Sequence, residues 1–171
     1  GQAPIASGED AGIRWASDGA LLFGVIEQEE GADGIAAAAH RAYSRLTGFV
    51  GQRGFQHLLR VWNYLDAITS GEGDAERYRQ FCVGRAQGMA RYAAAMLPAA
   101  TAIGRCDDER VLQVYWLAAR APGQPVENPR QVSAYRYPRQ YGPQPPSFAR
   151  AMLPPTPDHM PLLLSGTAAV V

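Results

Sequence analysis

Between Glu127 and Phe148 the chain reads ENPRQVSAYRYPRQYGPQPPSF, where Arg130, Arg136 and Arg139 alternate with Tyr135, Tyr137 and Tyr141 and the only acidic residue is the first. These residue types suit the gripping of an anionic ring. Arginine presents paired N–H groups that match a carboxylate, and tyrosine adds a hydroxyl and a flat apolar wall. Pro129, Pro138, Pro143, Pro145 and Pro146 exclude an ordinary helix and favour an extended form, which loses little chain entropy when a ligand binds. In an extended stretch Tyr135, Tyr137 and Arg139 point one way and Arg136 and Gln140 the other, so one face can line a pocket. The plainer alternative has the tyrosines packing the segment onto its neighbours and the arginines solvated or paired with Asp107, Asp108 and Glu109.

Other chemistries are poorly supported. His40, His57 and His159 form no Hx3H or HExxH pattern, so no metal site is expected. Cys82 and Cys106 lack CxxC spacing, which argues against a zinc site or a disulfide framework and fits a reducing cytoplasm. Glu27, Glu29 and Glu30 read as the end of a strand and a polar turn, and Gly71-Glu72-Gly73-Asp74 as a turn into a helix with Glu72 and Asp74 solvated. The basic residues, all 16 of them arginine, are balanced by 16 acidic ones, so a nucleic-acid partner is not expected despite the Arg/Tyr stretch. No apolar run approaches a membrane span, and the N-terminus lacks the charged start and apolar core of a signal peptide.

The elements that must position the Arg/Tyr stretch follow from periodicity. A length of 171 residues suits one domain with a piece of a second, and a hydrophobic content of 47% argues against disorder. Residues 1–14 are expected to be a loose lead-in, 20–27 a buried strand, and 35–50 an amphipathic helix capped by Asp33 and ending near Gly48. Residues 57–65 read as a strand. Tyr78, Phe81, Cys82, Arg85 and Met89, at steps of three and four, predict a helix over 76–96, in which Gly84 and Gly88 allow close packing. Residues 99–104 and 111–119 read as a hairpin around Cys106 to Arg110. The sum is an α+β, βαββ-type mixed sheet of four strands with two helices on one face. Residues 122–160 then form a long connection, of the kind that is a functional loop or an interdomain linker. PLLLSGTAAVV at 161–171 reads as a further strand that belongs to a longer protein.

The order of elements resembles the RidA/YjgF (chorismate mutase-like) fold. AERYRQFCVGRAQGM and PAATAIG are similar to its second helix and the strand after it, and LLFGVIEQ and PLLLSGTAAVV resemble its opening strand. That divides the chain into a RidA-like domain over 15–121, a linker over 122–160 and the start of a second such domain over 161–171. Two of these domains joined by ENPRQVSAYRYPRQYGP, together with VWNYLDAI, ERYRQFCVGRAQ and LLLSGTA, resemble the chorismatase family of the hydroxybenzoate synthase type, formerly described as pteridine-dependent dioxygenase-like. The resemblance implies an enzyme that hydrolyses the enolpyruvyl ether of chorismate to pyruvate plus 3- or 4-hydroxybenzoate or a dihydroxycyclohexadiene carboxylate, with no cofactor. Chorismate carries two carboxylates, and the residues expected to face it are Arg130, Tyr135, Tyr137, Arg139, Tyr141 and Arg150. The implied catalytic acid, a glutamate, lies beyond Val171, in a C-terminal RidA-like half that is the expected partner in a pseudo-trimer. The chain alone is therefore expected to be inactive, without nucleic-acid or membrane partners. RidA deaminases hold the substrate carboxylate with an arginine where this chain has Ala99 and Ala100, so the first domain departs from that activity. The alternative is a non-catalytic RidA-like small-molecule binding or scaffolding domain.

Overall fold

In the computed structural model, which describes residues 3–156 and 159–167, the chain opens with a hairpin where a loose lead-in was expected. Strand β1 (Ala6–Asp10) pairs antiparallel with β2 (Ile13–Ser17), and the connecting Ala11 and Gly12 both take positive φ, 50° and 73°. A two-residue turn of that hand matches the right-handed twist of the flanking strands. All five residues of β1 are exposed, so the strand carries no apolar alternation that would reveal it.

The next three elements lie where periodicity puts them: β3 (Leu21–Glu29), α1 (Gly34–Gln52) and β4 (His57–Asp66). Helix α1 buries Ile35, Ala38, Ala39, Ala42 and Leu46 and continues past Gly48 to Gln52. Asp33 occupies the N-cap position without capping it. Its carboxylate instead accepts from Arg41 Nη1 at 2.5 Å, and that hydrogen bond holds the carboxyl below its ordinary range. At the end of β3, Glu30 accepts a two-pronged hydrogen bond from Arg77 Nη1 and Nη2 at 2.6 and 2.7 Å, tying that end to the start of α2 (Arg77–Gly88).

Helix α2 stops eight residues short of the expected end, at Gly88, and a separate 3-10 turn spans Ala94–Met96. Its glycines are where it meets α1. A Cβ on Gly84 would lie 1.9 Å from the Ala36 carbonyl oxygen, and one on Gly88 2.4 Å from the Tyr43 Cβ.

Strands β5 (Ala99–Arg105) and β6 (Val111–Ala119) do not pair as a hairpin. The sheet has six strands in the order β1-β2-β3-β6-β4-β5, with β6 antiparallel to both neighbours and β5 parallel to β4 at the edge. The reason lies in the pattern of β6. Leu112, Val114, Trp116 and Ala118 are all buried, a load of apolar surface that only a central strand covers. Trp116 faces Gly24 across the ladder, and a Cβ there would come within 2.2 Å of the indole.

On the helix side of the sheet Leu22, Ile26, Val61 and Trp116 pack with Tyr43, Leu46 and Phe49, the Phe49 ring standing edge-on to Trp116 at 5.8 Å. Each such side chain contributes roughly 1.5 to 3 kcal/mol by burial. The other face presents Phe23, Trp62, Tyr64, Gln113 and Tyr115 around an open groove of about 470 Å3. Cys82 lies in the core and burial pushes its thiol up to about 11, whereas Cys106 is exposed. With a disulfide-exchange reagent at pH 8, one thiol is expected to react at once and the second only on unfolding; two fast thiols would contradict the packing of α2.

Residues 122–160 are not a structureless connection. Strands β7 (Gln124–Val126), β8 (Ala151–Leu153) and β9 (Leu163–Leu164) form a second, antiparallel sheet in the order β7-β8-β9. Ser165 then docks on the edge of β5, its Oγ accepting from Ala100 N at 2.7 Å and donating to the Ala149 carbonyl at 2.5 Å. Of the 161–171 segment, residues 168–171 lie outside the described residues. Among the described residues no helix is long and apolar enough to cross a membrane.

Candidate functional site

The small sheet brings together the two ends of the Arg/Tyr stretch. Glu127 directly follows β7 and Arg150 directly precedes β8, and the Arg150 backbone N–H donates to Glu127 Oε1 at 3.1 Å. Arg150 is only 8% exposed. Its Nη2 donates to the Val132 carbonyl and to the Tyr137 hydroxyl, both at 2.9 Å, and its guanidinium carbon sits 6.0 Å from the Tyr137 ring centre. The Tyr141 ring is 5.7 Å from that of Tyr137. Arg150 Nε and Nη1 are buried without a hydrogen-bond partner among the described residues, as is Glu127 Oε2. A buried guanidinium with two unmet donors is costly unless an acceptor arrives, and an anion is the acceptor that also offsets its charge.

The extended alternation expected for this stretch is not observed. Two 3-10 turns, Ala134–Arg136 and Arg139–Tyr141, fold it back on itself. Pro138, at φ −61°, sits just before the second, whose first residues need no N–H, and Gly142 at φ 151° takes a backbone that other residues avoid. Tyr135 and Tyr137 consequently do not share a face with Arg139. Tyr135 packs against the main core with Arg136 5.6 Å from its ring centre.

Arg139 donates from Nη1 to Asp74 Oδ1 at 2.9 Å and from Nη2 to Asp74 Oδ2. Asp74 is exposed, as its turn suggests, but paired, and the Arg139 hydrogen bond holds its carboxyl below the ordinary range. Asp107, an alternative partner for these arginines, pairs instead with Arg105 at 3.1 Å. Arg130 is exposed, and its guanidinium meets no acceptor among the described residues. Of the six expected residues, Tyr137 joins Arg150 by a hydrogen bond and Tyr141 by ring contact, Tyr135 and Tyr137 both pack on the core, and Arg139 and Arg130 stand at the surface. Glu127 was not among them. Its signal was its position as the lone acid opening a basic segment. Among the described residues no group of three or more His, Cys, Asp or Glu side chains is placed to hold a metal ion.

Residues 1–118 match the family described as Chorismatase FkbO/Hyg5-like, N-terminal. Along 99% of its length the chain is 39% identical to a chorismatase of Streptomyces rapamycinicus, covering 52% of that protein. It is 36% identical to a 3-hydroxybenzoate synthase of Streptomyces hygroscopicus, over 96% of this chain and 50% of that one. The chain thus spans about half the length of these curated relatives. A chorismatase crystal structure superposes with a TM-score of 0.87 at 38% identity, covering 98% of this chain and 51% of the other. A YjgF-family protein from Neisseria meningitidis superposes with a TM-score of 0.50 at 16% identity, over 71% of this chain and 98% of its own. That last likeness concerns the fold alone, an α+β arrangement of the YjgF/RidA type.

Proposed function

Because the chain belongs to the Chorismatase FkbO/Hyg5-like N-terminal family, we propose that it supplies the cationic and phenolic wall of a chorismatase. The enzyme detaches the enolpyruvyl group of chorismate as pyruvate, leaving 3- or 4-hydroxybenzoate or, with water added across the ether, a dihydroxycyclohexadiene carboxylate. The observation that carries this reading is Arg150. Family and relatives make a dianionic substrate the expected ligand, and Arg150 holds two buried N–H donors without acceptors beside the Tyr137 ring, which Tyr141 extends. Nε and Nη1 lie on different edges of the guanidinium, so they serve two separate acceptor atoms, with Tyr137 Oη holding Nη2 in place. Arg130 and Arg139 form the outer part of the wall, and Arg139 reaches substrate only by leaving Asp74.

The wall works with a second half that resembles the first domain, begins within 161–171 and carries the acid that protonates the substrate. The domain proper covers 15–121, with its lower bound inside β2 of the opening hairpin, and 122–160 is the bridge. The aromatic groove of Phe23, Trp62, Tyr64 and Tyr115 is the surface on which that half packs in a pseudo-trimer. An exposed aromatic patch of this kind is unusual on a face that stays in water.

Pyruvate release from chorismate, followed by coupled reduction with lactate dehydrogenase, tests the reading. The 171-residue chain alone is expected to release none, and the chain joined to a chorismatase second half is expected to turn over. Absence of turnover and of chorismate binding in the joined protein favours the other reading, a RidA-like domain that only scaffolds its partner.

A further inference from the structure

Arg150 lies in the row just beyond Val126, Ala151 and Leu164, the last paired residues of the small sheet, with Glu127 on the β7 side and Ser165 on the β9 side. In that row side chains take over part of what a ladder supplies to the main chain. The Arg150 N–H meets the Glu127 carboxylate at 3.1 Å in place of a main-chain carbonyl, and the Arg150 carbonyl accepts from Ser165 N at 2.9 Å. One residue earlier, Ala149 donates from its N–H to the Pro98 carbonyl at 2.9 Å and accepts at its own carbonyl from Ser165 Oγ at 2.5 Å. Ser165 Oγ accepts in turn from Ala100 N at 2.7 Å. The Ala149–Arg150 peptide is thereby fixed to the edge of β5 as well as to both strands of its own sheet.

The far end of the same side chain is fixed too, with Nη2 on the Val132 carbonyl and the Tyr137 hydroxyl. An arginine held at its backbone and at its tip has already lost the rotamer freedom that a ligand would otherwise have to remove. A purely structural Glu–Arg pair in this place would close on itself as a salt bridge. Glu127 and Arg150 form none, and among the described residues Arg150 makes no ion pair. The carboxylate instead holds the backbone, with its Oε2 buried and without a donor, and leaves the guanidinium charge without a counter-ion. For the chain alone that arrangement is unfavourable, and it is the arrangement that pre-ordering a cation for an incoming anion requires.

We infer that Glu127 and Ser165 are positioning residues for Arg150, holding its peptide from opposite sides so that the guanidinium meets an anionic substrate in one orientation. The inference rests on the proposed role of Arg150 and adds what that role requires from two other elements. Both residues act through Arg150 alone. Ser165 belongs to the 161–171 segment, so the Arg150 wall is complete only with that segment docked on β5.

Steady-state kinetics of the full-length enzyme across a chorismate series test the assignment. Glu127→Ala is expected to raise KM about tenfold, the worth of one hydrogen bond to a charged group, with kcat little changed because Arg150 holds substrate and transition state alike. Glu127→Gln keeps an oxygen for the Arg150 N–H and is expected to bring KM back near the wild-type value. Ser165→Ala loosens the same peptide from the other side and is expected to raise KM in the same way, so the result does not hang on one variant folding. In an Arg150→Gln background either change is expected to add less than about twofold, since the side chain it positions is gone. A full additive effect in that background, a fall in kcat with KM unchanged, or a Glu127→Gln as impaired as Glu127→Ala overturns the inference and leaves the reading of Arg150 standing. So does an unchanged KM in folded Glu127→Ala and Ser165→Ala beside a raised KM in Arg150→Gln. An unchanged KM in Arg150→Gln overturns both.

Discussion

Arg150→Gln in the full-length enzyme is expected to raise KM for chorismate by about 10- to 150-fold, the worth of a buried charge-assisted hydrogen bond. Glutamine, two bonds shorter, stays polar but falls short of the Val132 carbonyl and the Tyr137 hydroxyl that Nη2 meets at 2.9 Å in the wild type. It cannot replace the charge, nor the two donors Nε and Nη1 that are left for a ligand. Tyr137→Phe removes only the hydroxyl that orients Nη2 and should give a smaller rise in KM. Arg130→Ala acts on an exposed side chain, so its effect should be smaller again, because water screens an exposed charge. Steady-state rates across a chorismate series for the three variants check the order. If Arg130→Ala exceeds Arg150→Gln, the wall faces the other way. Loss of fold is excluded by circular dichroism, since Arg150 also anchors the β7–β8 pair through Glu127.

Gly84→Ala is expected to destabilise the chain by about 3 kcal/mol or more, at the upper end of what overpacking costs. Helix propensity alone predicts the opposite, a gain of about 1 kcal/mol for alanine over glycine. The packing term wins because the new methyl would sit 1.9 Å from the Ala36 carbonyl oxygen and 2.7 Å from its carbon. These are backbone atoms of a second helix, so relief requires α1 and α2 to separate. Separation would open the contacts of Tyr43 with Phe81, whose ring centres lie 6.4 Å apart. Urea unfolding of the variant beside the wild type measures it. A stability equal to or above wild type would mean that the two helices are not in this register.

The elements that periodicity located, β3, α1 and β4, share a property. Each is a continuous run whose burial is decided by its own residues, as with Leu22, Val25 and Ile26 in β3. The pairing of β5 and β6 is different in kind. Their proximity in sequence suggests a hairpin, but β4 lies between them, and only the full burial of Trp116 and its neighbours marks β6 as central. A ladder partner is a non-local choice that a local pattern does not encode. The β1–β2 hairpin was hidden because its outer strand buries nothing. In the site, residue types were legible and geometry was not. Prolines announced an ordered segment, yet the 3-10 turns at Ala134–Arg136 and Arg139–Tyr141 redirect each side chain and give Arg139 to Asp74.

A structure of the full-length enzyme with a non-hydrolysable chorismate analogue bears most directly on the proposed role of the Arg/Tyr stretch. One carboxylate of the analogue is expected within about 2.7 to 3.0 Å of Arg150 Nε or Nη1, with its ring against Tyr137 or Tyr141. An analogue bound elsewhere, with Arg150 contacting only Val132 and Tyr137, would contradict it.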